Sequence, residues 1–384
     1  MSTSREREGI RGRITRQGED ALGKLAQDLL DNPLVNSAIT RVFDARERAV
    51  QAQEVAMGAL NIPSAADLDA DHTTDYVYAG DLQGNLWRFD LTSNNESNWA
   101  VSPGPLFKTA AGQPITTAIV VASGAPSPGM QQQVMLLFGT GQRLPVTNAS
   151  PATYASGTQS LYGVWDWNMG AWNAYASVQY ASMNAAATGL STANYYLTPS
   201  SLTQQVVTVN AATGDREIAA NATICWAGQT SCATNGQFGW YLNLPGTQEQ
   251  IIYSPELVLQ ALTVNSIVPA SANATSCALP SDIGFTYVIN AMTGGAFNQV
   301  FLPPSAAANP AFSTNPKYTD AVAIAIQTNA TGMSFVTTNG AGTRFLVYET
   351  NQVDTASNNI ASGAQPLNLP ANNTGRRLSW IERR

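Results

Sequence analysis

The chain has 384 residues and a formal net charge of −7, and only 12% of its residues are charged. That balance excludes a nucleic-acid binder built on clustered Lys and Arg, while the length allows one large domain or two or three smaller ones. A charged share about half the usual one, with Asn, Thr, Ser, Ala and Gly in its place, suits an envelope or secreted β protein better than a cytosolic helical enzyme.

The charge is unevenly spread. The first 60 residues hold 9 Lys/Arg and 9 Asp/Glu, and the remaining 324 hold 10 and 17. Residues 10–60 predict an amphipathic helical hairpin. Ile14, Leu22, Leu25, Leu29 and Leu30 recur at steps of about three and four. Asn32 as a cap and Pro33 at the first helical position start a second helix. Its apolar face carries Val35, Ile39, Val42, Ala49, Ala56 and Leu60, opposite Arg41, Arg46, Glu47 and Arg48. Acids match bases here, which favours a packing or association module over a basic membrane-surface helix. The opening residues lack the apolar core of a secretory signal. No stretch approaches the ~18 apolar residues of a membrane span.

The next segment, "DLDADHTTD", crowds Asp67, Asp69, Asp71 and Asp75 just ahead of a strand. With Asp67 as position 1, the others fall at 3, 5 and 9, and the Thr73 carbonyl at 7. This is the order in which a calcium loop offers oxygens. Without a cation, four like charges would repel one another and raise their own pKa values. The match is to the loop of an EF-hand only: His72 stands where Gly usually permits the turn, Tyr78 where a bidentate Glu would sit, and a strand follows. Magnesium, which keeps its waters and uses few carboxylates, fits less well than Ca2+. The alternative is a solvated acidic turn.

From residue 75 onward the pattern is β. "YVYAGD", "LWRFDL", "QVMLLFG", "LYGVWDW", "QVVTVN", "QIIYSPELVL", "FTYVIN", "AVAIAIQT", "SFVTT" and "RFLVYET" are short β-branched and aromatic runs between Gly, Asn and Pro turns. Gly84 frees a tight turn between the first two. "VNAATG" at 209–214 echoes "INAMTG" at 289–294. Repeated hairpins over about 300 residues predict a mainly β fold, a partial or modified β-propeller or a sandwich.

Of the three cysteines, Cys225 and Cys232 are close enough to close a short disulfide loop in an oxidising compartment; three unpaired thiols is the alternative, and either way the count is odd. The inventory for catalysis is thin. His72 is the one histidine and is expected to be exposed. No metalloprotease, nucleophile-elbow or P-loop pattern occurs. Asp215 and Glu217 read as solvated acids in a turn. Trp87, Trp165, Trp167, Trp240 and Trp380 read as core or strand-capping residues rather than a glycan platform.

Several phrases, taken in order, resemble one family. "DYVYAGDLQGNLWRFDL" behind its acidic loop, "LFGTGQRLP" with "SLYGVWDW", "GWYLNLPGTQEQIIYSPELV", "TYVINAMTGGAF" and "GRRLSWIERR" resemble the C-terminal domain of the PilY family, the type IV pilus tip-associated adhesins and biogenesis factors, over about residues 67–384. The resemblance implies a modified β-propeller. It also implies a Ca2+ site formed by the side chains of Asp67, Asp69, Asp71 and Asp75 with the Thr73 carbonyl assisting. It implies a role in pilus biogenesis, twitching motility and attachment, with pilins or minor pilins, the pilus secretion machinery, and a host or abiotic surface as partners. The location it implies is the cell surface, pilus tip or outer membrane. The domains expected are a helical segment at 1–60, a linker and calcium loop at 61–75, and a propeller-like domain at 76–384 that lacks the family's first blades, with a seam near 61–70. A propeller-scaffold quinone-dependent dehydrogenase is disfavoured by the absence of vicinal cysteines and repeated Trp docking motifs. A helical granule-associated protein with a β passenger is the third reading.

Overall fold

The computed structural model describes residues 61–126, 129–144, 153–184, 196–211, 214–229, 236–270, 282–297, 322–338, 344–354, 359–367 and 376–378. The helical hairpin expected at 10–60, together with Cys232, Cys277 and Trp380, lies outside them. The chain divides into two compact units, Met1–Met57 with Ser93–Val101, and Gly58–Thr92 with Ser102–Arg384. The described part of the first, residues 93–101, holds a 3-10 turn, Glu96–Asn98, whose cap Asn95 accepts from the Ser97 amide, and a short strand, Ala100–Val101. Trp99 closes it by donating its indole N–H to the Ser93 carbonyl at 2.8 Å.

The second unit is built of sheets, as the short aromatic and β-branched runs predict. In the first sheet Ser64–Ala66, Tyr76–Gly80 and Asn85–Asp90 pair in antiparallel order, and Phe107–Lys108 pairs with Asn85–Asp90. Tyr76 and Tyr78 point into the core and Val77 between them is partly exposed, the period of a half-buried strand. The hairpin turns on Gly84 at φ 80°, as its position predicts.

The second sheet has the order Thr203–Gln205, Gly239–Asn243, Ser160–Trp165, Gln133–Gly139, Val120–Gly124 and Arg376–Arg377. Its central strands Gln133–Gly139 and Ser160–Trp165 are buried at every residue. That explains why they read as continuous apolar runs rather than alternating ones. Gly163 is required where these strands meet Trp240, because a Cβ there would lie 2.3 Å from the indole. The third sheet runs Thr208–Val209, Arg216–Ile218, Val322–Gln327, Ile283–Asn290, Ala261–Val268 and Glu256–Val258. Ala330–Thr338, Arg344–Asp354 and Asn359–Leu367 form a fourth.

Strands Ser64–Ala66 and Glu256–Val258 each contact Val120–Gly124, so the first three sheets meet along these strands. Ile119 donates its amide to Ser64 Oγ and Ala118 to Ser254 Oγ, which stitches the junction. Phe107, Phe138 and Tyr162 stack with ring centroids 5.1–6.1 Å apart and join the first sheet to the second. Trp165, Trp167 and Trp240 are buried, as core packing predicts, and Trp87 donates its indole N–H to Asp81 at 2.9 Å.

The two echoed turns are alike in space. In each, the glycine amide (Gly214, Gly294) donates to the carbonyl of the opening asparagine (Asn210, Asn290) at 2.8 Å, with φ at 78° and 66°. The acids beside the first turn correct the reading. Asp215 is fully buried and Glu217 nearly so. They flank Arg216, whose guanidinium pairs with buried Glu249 at 2.9 Å and lies over the Phe285 ring. Cys225 is disulfide-bonded, which sets aside the reading of three unpaired thiols.

Candidate metal-binding loop

Residues Asp67–Asp75 connect two strands that pair with each other in the register Ala66 to Tyr76. The Asp75 amide closes the loop by donating to the Ala66 carbonyl at 2.9 Å. The entering chain is integrated from residue 61. Asn61 donates its amide to Gly80 and its side chain to the Ile115 carbonyl, and the Asp67 amide donates to Leu378 at 3.1 Å. Residues 61–67 are thus bonded into the first sheet and to Leu378.

Asp67 organises the interior of the loop. Its Oδ1 accepts from the amides of Ala70 at 2.6 Å and Asp71 at 3.2 Å, and its Oδ2 from His72 at 3.0 Å. Asp69 Oδ1 accepts from the Asp71 amide at 3.2 Å. Asp71 Oδ1 accepts from both the amide and the hydroxyl of Thr73, at 2.7 and 2.5 Å. The chain can wind this tightly because Ala70 and His72 take left-handed conformations, φ 68° and 72°. His72 therefore makes the bend usually left to Gly, and a residue with a Cβ there stores some strain. Its side chain is exposed, as expected.

Carboxylate oxygens of Asp67, Asp69 and Asp71 lie within 4.8 Å of one another. Asp75 does not join that group. Its Oδ2 accepts from the Leu68 amide at 2.6 Å. Burial pushes its carboxyl up to about 6, against the pull of the Leu68 hydrogen bond, and the charges of Asp69, Asp67 and Asp71 push it the same way. The two Thr73 hydrogen bonds hold the Asp71 carboxyl below its usual range. A hard-oxygen set this dense is the donor chemistry of a calcium loop, and the residues present fit such an ion.

Two sets of long-range bonds, one within the first sheet's core and one to the loop itself, were missed by sequence reasoning. Tyr78 donates to Asp166 at 2.7 Å, and Arg88 pairs with the other oxygen of Asp166 at 2.8 Å. Tyr180 donates its hydroxyl to the Leu68 carbonyl at 2.6 Å. These partners lie 78–112 residues apart in the chain, so no local pattern could announce them.

The model of the PilY1 beta-propeller domain matches residues 38–191. Two curated relatives, each a Type IV pilus biogenesis factor PilY1 from a strain of Pseudomonas aeruginosa, are 30% identical over 311 residues. In sequence and in fold the chain is similar to the PilY1 family. Those alignments cover 73% of this chain and 24% of each relative, so the chain spans about a quarter of the length of the PilY1 proteins it matches. A PilY1 homolog from Xylella fastidiosa is 34% identical over 111 residues, 26% of this chain and 7% of the relative. The crystal structure of the Pseudomonas aeruginosa PilY1 C-terminal domain superposes with a TM-score of 0.54 at 22% identity, covering 83% of this chain and 62% of that one. This supports the shared fold. The phrases that resemble PilY1 fall on structural positions: "LFG" ends one central strand of the second sheet, "SLYGVW" is the other, "GWYLN" is its neighbour, and Arg376–Arg377 is the sheet's edge.

Proposed function

We propose that this chain is a calcium-binding part of the type IV pilus apparatus, acting in pilus biogenesis, twitching motility and surface attachment. The observation that carries the calcium reading is the approach of Asp67, Asp69 and Asp71 to within 4.8 Å of one another. Similarity to the PilY1 family supports the pilus reading, since the curated relatives are named as type IV pilus biogenesis factors. The working domain is the sheet-built unit from residue 61 onward, with 61–75 as its linker and loop.

The residues share the work as follows. Asp67, Asp69 and Asp71 supply the first carboxylates, Asp75 supplies a further one from the strand side, and the Thr73 carbonyl completes the set. A bound Ca2+ supplies the positive charge that offsets their mutual repulsion. The left-handed backbone at Ala70 and His72 keeps the carboxylates convergent. Tyr76–Gly80 carries the stiffened loop into the first sheet, whose surface docks on pilins, minor pilins or the secretion machinery. Among the described residues no helix is long and apolar enough to cross a membrane. We place the domain at the cell surface or pilus tip, where the disulfide at Cys225 persists.

The test is complementation of a strain lacking its own PilY1 homologue. A chain carrying Asp69→Ala and Asp71→Ala should fold and reach the surface yet fail to restore surface pili and twitching. Full restoration by that variant would overturn the calcium-dependent reading.

A further inference from the structure

We propose that Tyr180 is a positioning residue for the acidic loop, setting the peptide that links its first two carboxylates. The functional consequence rests on the calcium reading; the positioning itself does not.

Leu68 lies between Asp67 and Asp69 and is fully buried. Its amide donates to Asp75 Oδ2 at 2.6 Å, and its carbonyl accepts from the Tyr180 hydroxyl at 2.6 Å. One residue is thus held from both sides, by an acid of the loop and by a phenol 112 positions away. Because a peptide unit is planar, turning the one that holds the Leu68 carbonyl also moves the backbone that carries Asp69. Loss of the phenol bond therefore lets the two carboxylates separate.

Tyr180 is itself rigidly placed. Its ring is buried, and Asn173 brackets its backbone, accepting from its amide at 2.9 Å and donating to its carbonyl at 2.6 Å. Asn173 ends a short helix, Gly170–Asn173, whose Trp172 donates to the Val178 carbonyl at 2.8 Å. The next residue, Ala181, donates its amide to Gln132 at 2.7 Å, at the start of a second-sheet strand. The loop on the first sheet is therefore braced by a turn of the second, an arrangement that the loop's own ligand spacing does not encode.

Tyr180→Phe keeps the ring and removes the hydroxyl. In EDTA, amide exchange at residues 68–72 should quicken about fivefold, as for the loss of one buried hydrogen bond, with exchange in the strands Gln133–Gly139 and Ser160–Trp165 unchanged. Calcium affinity should fall about three- to tenfold. Tyr241→Phe, which removes a hydroxyl bonded to Gln204, should change neither. If Tyr180→Phe fails to fold, Asn173→Ser carries the same test, because it loosens the bracket and leaves the hydroxyl in place. Unchanged exchange at 68–72, or faster exchange across both sheets alike, would overturn the proposal. A parent chain that binds no calcium but shows the localised exchange effect would remove the metal reading and leave Tyr180 as the brace.

Discussion

Asp67 and Leu378 stand at opposite ends of the described chain, and the amide of the first donates to the carbonyl of the second at 3.1 Å. The Leu378 amide in turn donates to Val121. One residue of the terminal segment thus ties the first carboxylate of the loop to the strand where the sheets meet. Leu378 is buried, so Leu378→Ala should cost about 2–4 kcal/mol in urea unfolding. The Leu378 carbonyl that anchors Asp67 stays in the variant, but shrinking the buried side chain loosens the segment that carries it, so calcium affinity should drop as well. A stability loss with unchanged affinity would show that the terminal segment serves the fold alone.

The acidic loop makes metal-free stability depend on pH. Asp75 titrates near 6 in the folded chain against an ordinary value of 3.8. The folded state therefore holds this proton more tightly than the unfolded one. The stability from this group is complete below about pH 4 and is lost as the pH rises through about 6. Solvent around the loop keeps the effect on the order of 1 kcal/mol. Thermal melts in EDTA should show this loss between pH 4.5 and 7, and Asp75→Asn should flatten it. The gain in melting temperature on adding calcium should be larger at pH 7.5 than at pH 5, where a proton competes for the carboxylate.

Arg88 and Asp166 are both buried and bonded at 2.8 Å, with Tyr78 on the second oxygen. Removing one partner leaves the other charge without its match, at a cost of about 3–5 kcal/mol. Asp166→Ala should show that loss in urea unfolding. The paired replacement of Arg88 by Met and Asp166 by Leu should recover part of it. A single variant within about 1 kcal/mol of the parent would show that solvent reaches the pair.

Gly163→Ala places a methyl where the Trp240 indole already sits, 2.3 Å from the new Cβ. Overpacking of this kind costs about 1–3 kcal/mol. It should also perturb the near-ultraviolet circular dichroism of the buried tryptophan. Unchanged stability and spectrum would place the indole elsewhere.

How much of this was legible in the sequence depended on the range of the interactions. Tyr76–Gly80, the Gly84 turn and the paired turns at Asn210 and Asn290 follow from patterns confined to a few residues. The strand Ala261–Val268 escaped notice because Asn265 interrupts its apolar run. That side chain is buried and satisfied by Gly332, Ser334 and Thr286, from neighbouring strands. Of the expected run at 250–259, only Glu256–Val258 is a strand, and Leu259 turns back at φ 60°. The spacing of Asp67, Asp69 and Asp71 foretold their convergence, and His72 at position 6 concealed the left-handed bend that it makes. Asp215 and Glu217 looked solvated because their turn was visible and their partners were not. Tyr180, which bonds the loop at Leu68, and Asp166, which joins Tyr78 to Arg88, gave no local sign at all.

Calcium titration of the purified chain by calorimetry at pH 7.5 tests the central claim most directly. The account predicts one saturable site in the parent and no measurable binding in Asp69→Ala/Asp71→Ala, with the two proteins melting together in EDTA. Absence of a binding isotherm in the parent, or equal binding by both proteins, would contradict it.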